Sequence, residues 1–199
     1  MIYFYQLIFL IATYLICAIP FGLLFSKIFA KTDIRNLGSG NIGATNVTRI
    51  LGKKLGIFTL LCDSGKGMIM VIIGRFTFVE ADGLHNFLVL VSLVGICAHI
   101  FPIYLNFKGG KGIATTIGCL IALDFNVGML AIFFWILSFM AFRISAVASL
   151  IAIFSTTIFS TAYDAPILQI IFCWIIFAII FYKHKENIIR ILTGEEKKM

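Results

Sequence analysis

The chain has 199 residues, of which 61% are hydrophobic and 13% charged, against about 45–50% and about 25% in an ordinary soluble domain. With a mean hydropathy of +1.06, 21 Phe and three Pro, it is not a soluble globule, a disordered chain, a collagen-like repeat or a loop-rich disulfide scaffold. A net charge of +7 would suggest nucleic acid for a soluble protein, but in a membrane protein the placement of the charges matters more than their sum.

At about 20 apolar residues per crossing, this length allows roughly six to eight spans and leaves no room for a separate soluble domain. Residues 1–199 therefore read as one all-α, polytopic integral-membrane domain. The first apolar run, Ile2 to Ser26, has no basic flank before it and no small-residue cleavage site after it. It reads as a retained span, not a signal peptide. Further runs follow at Leu55 to Val79, Leu84 to Leu105, Ile113 to Leu123, Val127 to Phe142, Ile144 to Ala162 and Ala165 to Tyr182, which predicts about seven transmembrane helices.

Seven alternating crossings sort the loops by charge. One side receives Lys31, Arg35, Arg49, Lys53, Lys54, Lys108, Lys111, Arg143 and the tail from Lys183; the other receives Glu80, Asp82, Asp124 and Asp164. The Lys/Arg excess marks the cytoplasmic side, so the N-terminus is expected outside and the C-terminus inside. Arg75 alone dissents, and its long side chain is expected to snorkel to the outer interface. The fourth run is too short to span a hydrocarbon core of about 30 Å. It begins directly after Lys108-Gly109-Gly110-Lys111-Gly112, so this loop should lie below the membrane surface, where non-helical backbone must line a polar cavity.

The five cysteines, Cys17, Cys62, Cys97, Cys119 and Cys173, stand singly in apolar runs and read as small buried hydrophobes; no metal site is expected. Asp63 and Lys66, three apart, share a helix face. They either neutralise each other or orient groups of a site. His99 is either a structural hydrogen-bonding residue or a support for that site.

Three clusters lie on the basic side: Gly38-Ser39-Gly40-Asn41-Ile42-Gly43-Ala44-Thr45-Asn46 with Arg49, Lys53 and Lys54; the loop Lys108 to Gly112; and His184-Lys185-Glu186-Asn187 with Arg190. Each is either a turn-rich interfacial loop with positive-inside charge or a phosphate site. In the second reading glycines expose consecutive N–H groups, hydroxyl and amide side chains add donors, and Arg or Lys supplies charge. Other motifs fail on context. Gly38, Gly40 and Gly43 have dinucleotide-fold spacing but no preceding strand, and Gly110-Lys111 and Gly65-Lys66 lack the hydroxyl residue that would hold ATP. Asn46-Val47-Thr48 is a glycosylation sequon on the wrong side, and neither H-x4-D nor Gly-x-Ser-x-Gly occurs.

In order and membrane position, these clusters resemble the acyl-phosphate:glycerol-3-phosphate acyltransferase family of the bacterial plasma membrane. The matching parts are Gly38 to Val47 with Arg49, Leu61-Cys62-Asp63-Ser64-Gly65-Lys66-Gly67, Phe107 to Thr115, and His184 with Asn187. The resemblance implies a seven-helix enzyme of the inner membrane with its active site on the cytoplasmic side. Such an enzyme moves a fatty acyl group from acyl phosphate to the 1-hydroxyl of glycerol 3-phosphate, giving lysophosphatidic acid, with membrane lipid around it and no cofactor, ATP or nucleic acid. It also implies Ser39, Arg49, Lys111, His184 and Asn187 as catalytic and substrate-binding residues, with Asn41 and Asn46 as supporting donors. Gly38, Gly40, Gly43, Thr45, Gly109, Gly110 and Gly112 would complete the phosphate loops. The stretch Arg143 to Ser149 departs from the family's usual pattern beside Ser145, which puts a role for the Arg143 loop in doubt. The rival reading is a transporter of an organic anion, since a broken helix aimed at an anion also suits transport.

Overall fold

The computed structural model describes residues 1–198, and all the regular structure it contains is helical. Pro20 divides the first apolar run, because its ring removes an N–H and clashes with the preceding turn. The result is α1 (Ile2–Cys17) and α2 (Phe21–Ala30) in place of the expected single helix. The short amphipathic α3 (Ala44–Leu51) precedes α4 (Lys53–Thr77) and α5 (Leu84–Ile100). Next come α6 (Ile113–Leu123), α7 (Phe125–Phe142) and α8 (Ser145–Ala162). Finally α9 (Ile167–Lys183) bends by 58° into α10 (Lys185–Leu192), a helix not anticipated in the tail.

Five helical stretches are long and apolar enough to cross a membrane, or six if the bent pair α9–α10 counts as one. Large apolar side chains such as Phe58, Phe133, Met140 and Ile171 cover their outer faces, as expected of a surface that meets lipid. Inside, Val71, Leu88, Ile96, Leu120 and Ile176 form the common core. Cys17, Cys119 and Cys173 are buried as expected, whereas Cys62 and Cys97 are half-buried; all five thiols are free.

The short helix α6 has the eleven residues, Ile113 to Leu123, that the sequence predicts, and it packs against α4, α5 and α7. A Cβ on Gly118 would collide with the Ser64 carbonyl, and one on Gly67 would press into Cys119 and Thr115, so α4 and α6 meet backbone to backbone through small residues. Thr115 Oγ1 donates to the Asp63 carbonyl across this contact at 2.9 Å. At the far end Arg75, expected near the outer interface, meets the C-terminus of α6. Its Nη2 donates to the carbonyls of Ala122 (2.7 Å) and Leu123 (3.3 Å), because the last carbonyls of a helix have no partner within it and attract a cation. Asp124 then caps α7 through the N–H groups of Asn126 (3.1 Å) and Val127 (3.3 Å) and accepts from Gln169 Nε2 (3.2 Å).

Gly118→Val should force α4 and α6 apart at a cost of about 1–3 kcal/mol. Thermal unfolding in detergent should show a clearly lowered midpoint; an unchanged midpoint would mean that this contact is not tight.

Candidate active site

The segment leading into α3 wraps around one side chain. Asn46 is buried, its Nδ2 donates to the carbonyls of Leu37 (3.0 Å) and Asn41 (2.9 Å), and its Oδ1 accepts from the Ser39 N–H (3.0 Å). Gly38 and Gly40 have φ of +61° and +70°, a backbone region that favours glycine, and a Cβ on Gly38 would collide with Asn46 Oδ1. Asn46, expected as a supporting donor to substrate, lines the cavity described below, and its amide protons are used in holding the loop. The Gly40 N–H likewise goes to the Leu37 carbonyl (3.0 Å) and the Gly43 N–H to Asn41 Oδ1 (2.8 Å).

The second glycine loop behaves the same way. The N–H groups of Gly109 and Gly110 donate to the carbonyls of Ile100 (3.1 Å) and His99 (3.2 Å) at the end of α5. A Cβ on Gly109 would strike the His99 carbonyl, and one on Gly110 the His99 ring. These glycines permit close packing, and the N–H groups of Gly40, Gly43, Gly109 and Gly110, expected as backbone phosphate donors, already have acceptors within the protein, while Gly43 lines the cavity described next. Buried N–H groups need acceptors, and carbonyls a few residues away supply them before any ligand arrives. Gly112, at φ +86°, caps α6 and lines the cavity described next.

One cavity of about 460 Å³ collects most of the remaining candidates. Its polar end is formed by Ser39, Asn41, Thr45, Arg49, Lys111, His184 and Asn187, and its apolar wall by Leu61, Ile117, Ile132, Trp135 and Ile136. Gly38, Gly40, Gly109 and Gly110 lie outside this lining. Thr45 and Ser145 share a hydroxyl hydrogen bond of 2.9 Å, which ties α3 to α8, and Trp135 Nε1 donates to Ser149 Oγ at 3.2 Å. The stretch that the family comparison put in doubt thus contributes Ser145 and Ser149, while Arg143 stays out of the cavity.

Among the described residues, Arg49 has no ion-pair or hydrogen-bond partner in the protein. Its guanidinium lines the cavity unpaired. Lys111 Nζ donates to Asn187 Oδ1. Burial pushes the Lys111 amine down to about 8, and Glu196 opposes that shift. Asn187 Nδ2 donates to Glu196 Oε1 (2.6 Å), and Arg190 Nε donates to Glu196 Oε2 (2.7 Å). This chain fixes which end of the Asn187 amide faces Lys111. Sequence reasoning missed Glu196; the only signal was an acidic pair just past Gly194 in a basic tail.

His184 occupies the bend between α9 and α10, and its side chain is buried. Its Nδ1 lies 2.8 Å from the Ile180 carbonyl. A carbonyl can only accept, so the proton sits on Nδ1 and the Nε2 lone pair is left for a ligand. Burial, reinforced by the Lys111 cation, pushes the ring down to about 4, so the imidazole is neutral at physiological pH. Among the described residues no group of three or more His, Cys, Asp or Glu side chains is arranged to hold a metal ion.

A family model described as glycerol-3-phosphate acyltransferase matches residues 7–194. Curated proteins named glycerol-3-phosphate acyltransferase include one from Bartonella quintana, 42% identical and covering 98% of this chain and 92% of its own length. Others come from Caulobacter vibrioides, 40% identical over 96% of this chain and 86% of its own length, and Pelagibacter ubique, 38% identical over 96% of each. The crystal structure of PlsY (YgiH), an integral membrane glycerol 3-phosphate acyltransferase, in its glycerol 3-phosphate form superposes with a TM-score of 0.90. It is 36% identical and covers 98% of this chain and 95% of that one. Its lysophosphatidic acid form gives 0.87 at 35% identity, with the same coverage.

An anion held by Lys111 needs the ammonium form, which is lost as pH rises through about 8. Binding of sulfate, whose charge is constant in this range, should weaken between pH 7 and 9, and Lys111→Gln should bind weakly with a flat profile. Isothermal titration in detergent checks both; a flat wild-type profile would remove Lys111 from the anion site.

Proposed function

The chain belongs to the glycerol-3-phosphate acyltransferase family, and from that premise we propose that its acyl donor is an acyl phosphate, transferred to the 1-hydroxyl of sn-glycerol 3-phosphate. The protein is a multi-pass membrane acyltransferase; the products are lysophosphatidic acid and inorganic phosphate. The observation that carries this reading is a single cavity joining cationic and hydroxyl side chains to an apolar wall. That combination suits a donor with a phosphate at one end and a fatty chain at the other. Transport of an organic anion, the rival reading, gains no support from relatives that are all named as acyltransferases.

The mixed anhydride is already activated, since phosphate is a good leaving group, and no protein nucleophile is needed. The acceptor's hydroxyl oxygen bonds to the acyl carbon, the carbon–oxygen bond to phosphate breaks, and the proton ends on an oxygen of the departing phosphate. The protein's work is to hold two anions side by side against their repulsion. Arg49 and Lys111 neutralise phosphoryl charge, and the Ser39 hydroxyl donates to a phosphoryl oxygen. The His184 Nε2 lone pair accepts from the acceptor's 2-hydroxyl, which orients the 1-hydroxyl toward the acyl carbon, and Asn187 steadies Lys111. The apolar wall takes the acyl chain.

Residues 1–199 act as one domain in the bacterial inner membrane, crossing it seven times, with the N-terminus outside and the site on the cytoplasmic side. Support comes from the charge sorting of the loops, and from two bonds between loops that this sorting puts on the same side: Thr45 to Ser145, beside Arg143, and Lys111 to Asn187. A cysteine introduced at Asp82 should react with an impermeant thiol reagent in intact cells, and one at Asn36 only after the cytoplasmic face is opened. Labelling of the Asn36 position from outside would reverse the orientation.

Purified protein given palmitoyl phosphate and glycerol 3-phosphate should form lysophosphatidic acid and release phosphate only when the acceptor is present. Arg49→Lys should lose on the order of a hundredfold in kcat/KM, because a point ammonium cannot replace a bidentate fork. A Lys variant as active as wild type would reduce Arg49 to a topological anchor. Phosphate release without acceptor, with an acyl group left on Ser39, would replace direct transfer by a covalent route.

A further inference from the structure

Asp63, Lys66 and His99 form a buried network that the mechanism above does not use. Lys66 Nζ donates to Asp63 Oδ1 (2.8 Å), to the Ile19 carbonyl freed by the Pro20 break (2.8 Å), and to His99 Nδ1 (3.0 Å). An ammonium has three protons and no lone pair, so these contacts use all its donors and Nδ1 must be the acceptor. A protonated His99 would set two buried cations against one carboxylate, an arrangement that desolvation penalises. His99 is therefore neutral with its proton on Nε2, the tautomer opposite to that of His184.

Among the described residues that Nε2–H has no hydrogen-bond partner. His99 lines the cavity at the end where Lys111 and Gly112 enter it, and its ring lies flush against Gly110, where a Cβ would run into Nε2. The missing side chain of Gly110 is thus what gives the Nε2 edge its room. The buried side-chain atoms left without a partner among the described residues are His85 Nε2 and Thr116 Oγ1, so His99 Nε2 is not sealed in the protein but keeps access to the cavity it lines, and a cavity that binds phosphate supplies an acceptor for it. We propose that His99, held in one tautomer by Lys66 and Asp63, donates its Nε2–H to a phosphoryl oxygen of substrate bound beside Lys111. This inference rests on reading the cavity as the acyltransferase site.

Two substitutions separate this role from a structural one. His99→Asn leaves an acceptor near Nδ1 for Lys66 but does not reach the Nε2 position; His99→Gln places an amide donor near Nε2 but gives up the acceptor. If Nε2–H binds phosphate, the Gln variant stays within a few-fold of wild type, and the Asn variant loses roughly ten- to a hundredfold in kcat/KM, carried by KM. The substrate whose KM rises, acyl phosphate or glycerol 3-phosphate, is the one His99 holds. The reverse order, or equal values for the two variants, would overturn the proposal. Wild-type turnover is the control, so failure of the acyltransferase reading appears there first. A measurement on unaltered protein guards against misfolded variants. With three histidines in the chain, nitrogen-15 histidine spectra distinguish the Nε2–H ring from the Nδ1–H ring of His184. Saturating inorganic phosphate should move the His99 Nε2–H signal; an unmoved signal overturns the assignment.

Discussion

A helix of eleven residues, Ile113 to Leu123, covers about 16 Å and cannot reach across a hydrocarbon core, so every free group at its two ends must be satisfied below the membrane surface by some other element. Most of the unusual features of this fold answer that requirement. Arg75 and Asp124 close the far end of α6 and start α7. At the near end, Gly109 and Gly110 pair with the last carbonyls of α5, and the chain can enter α6 only because those residues have no side chains. Gly67 and Gly118 bring α4 close enough for Thr115 to bond the Asp63 carbonyl. What remains beneath the start of α6 is a space walled by polar groups on one side and by Ile117 and Ile136 on the other.

Charge inside this bundle is handled in two ways. Asp63 and Lys66 neutralise each other, and Lys66 also settles the proton of His99, so a cation with no direct part in the chemistry still controls a polar edge of the cavity. Arg190, Glu196, Asn187 and Lys111 form a second chain, in which a carboxylate in the tail fixes an amide that in turn aims an ammonium. Arg49 is left without an internal counter-ion. Such fixed charges favour an incoming phosphate because their orientation costs nothing further when it binds.

The sequence by itself determined the all-helical membrane class, the eleven-residue helix and its basic leading loop, and the residues Ser39, Arg49, Lys111, His184 and Asn187 that the structure brings to one cavity. The class, the short helix and its loop depend on run length, on breaker residues and on charge placement, which are local properties and survive in one dimension; the five residues come from the resemblance of their motifs to the family. The tertiary structure alone decided which polar atoms were already engaged. Asn46, Gly40 and Gly43 offered donors on paper, yet their bonds close within their own segment, and those of Gly109 and Gly110 go to the end of α5; Arg75 caps a helix forty-seven residues away; Glu196 returns to the site from the tail. A donor's partner is set by distance in space, and at these depths the nearest acceptor belongs to a different helix. Pro20 signalled a break, but only the packed bundle shows that the carbonyl it frees is taken by Lys66, and that Lys66 then leaves His99 with one free proton.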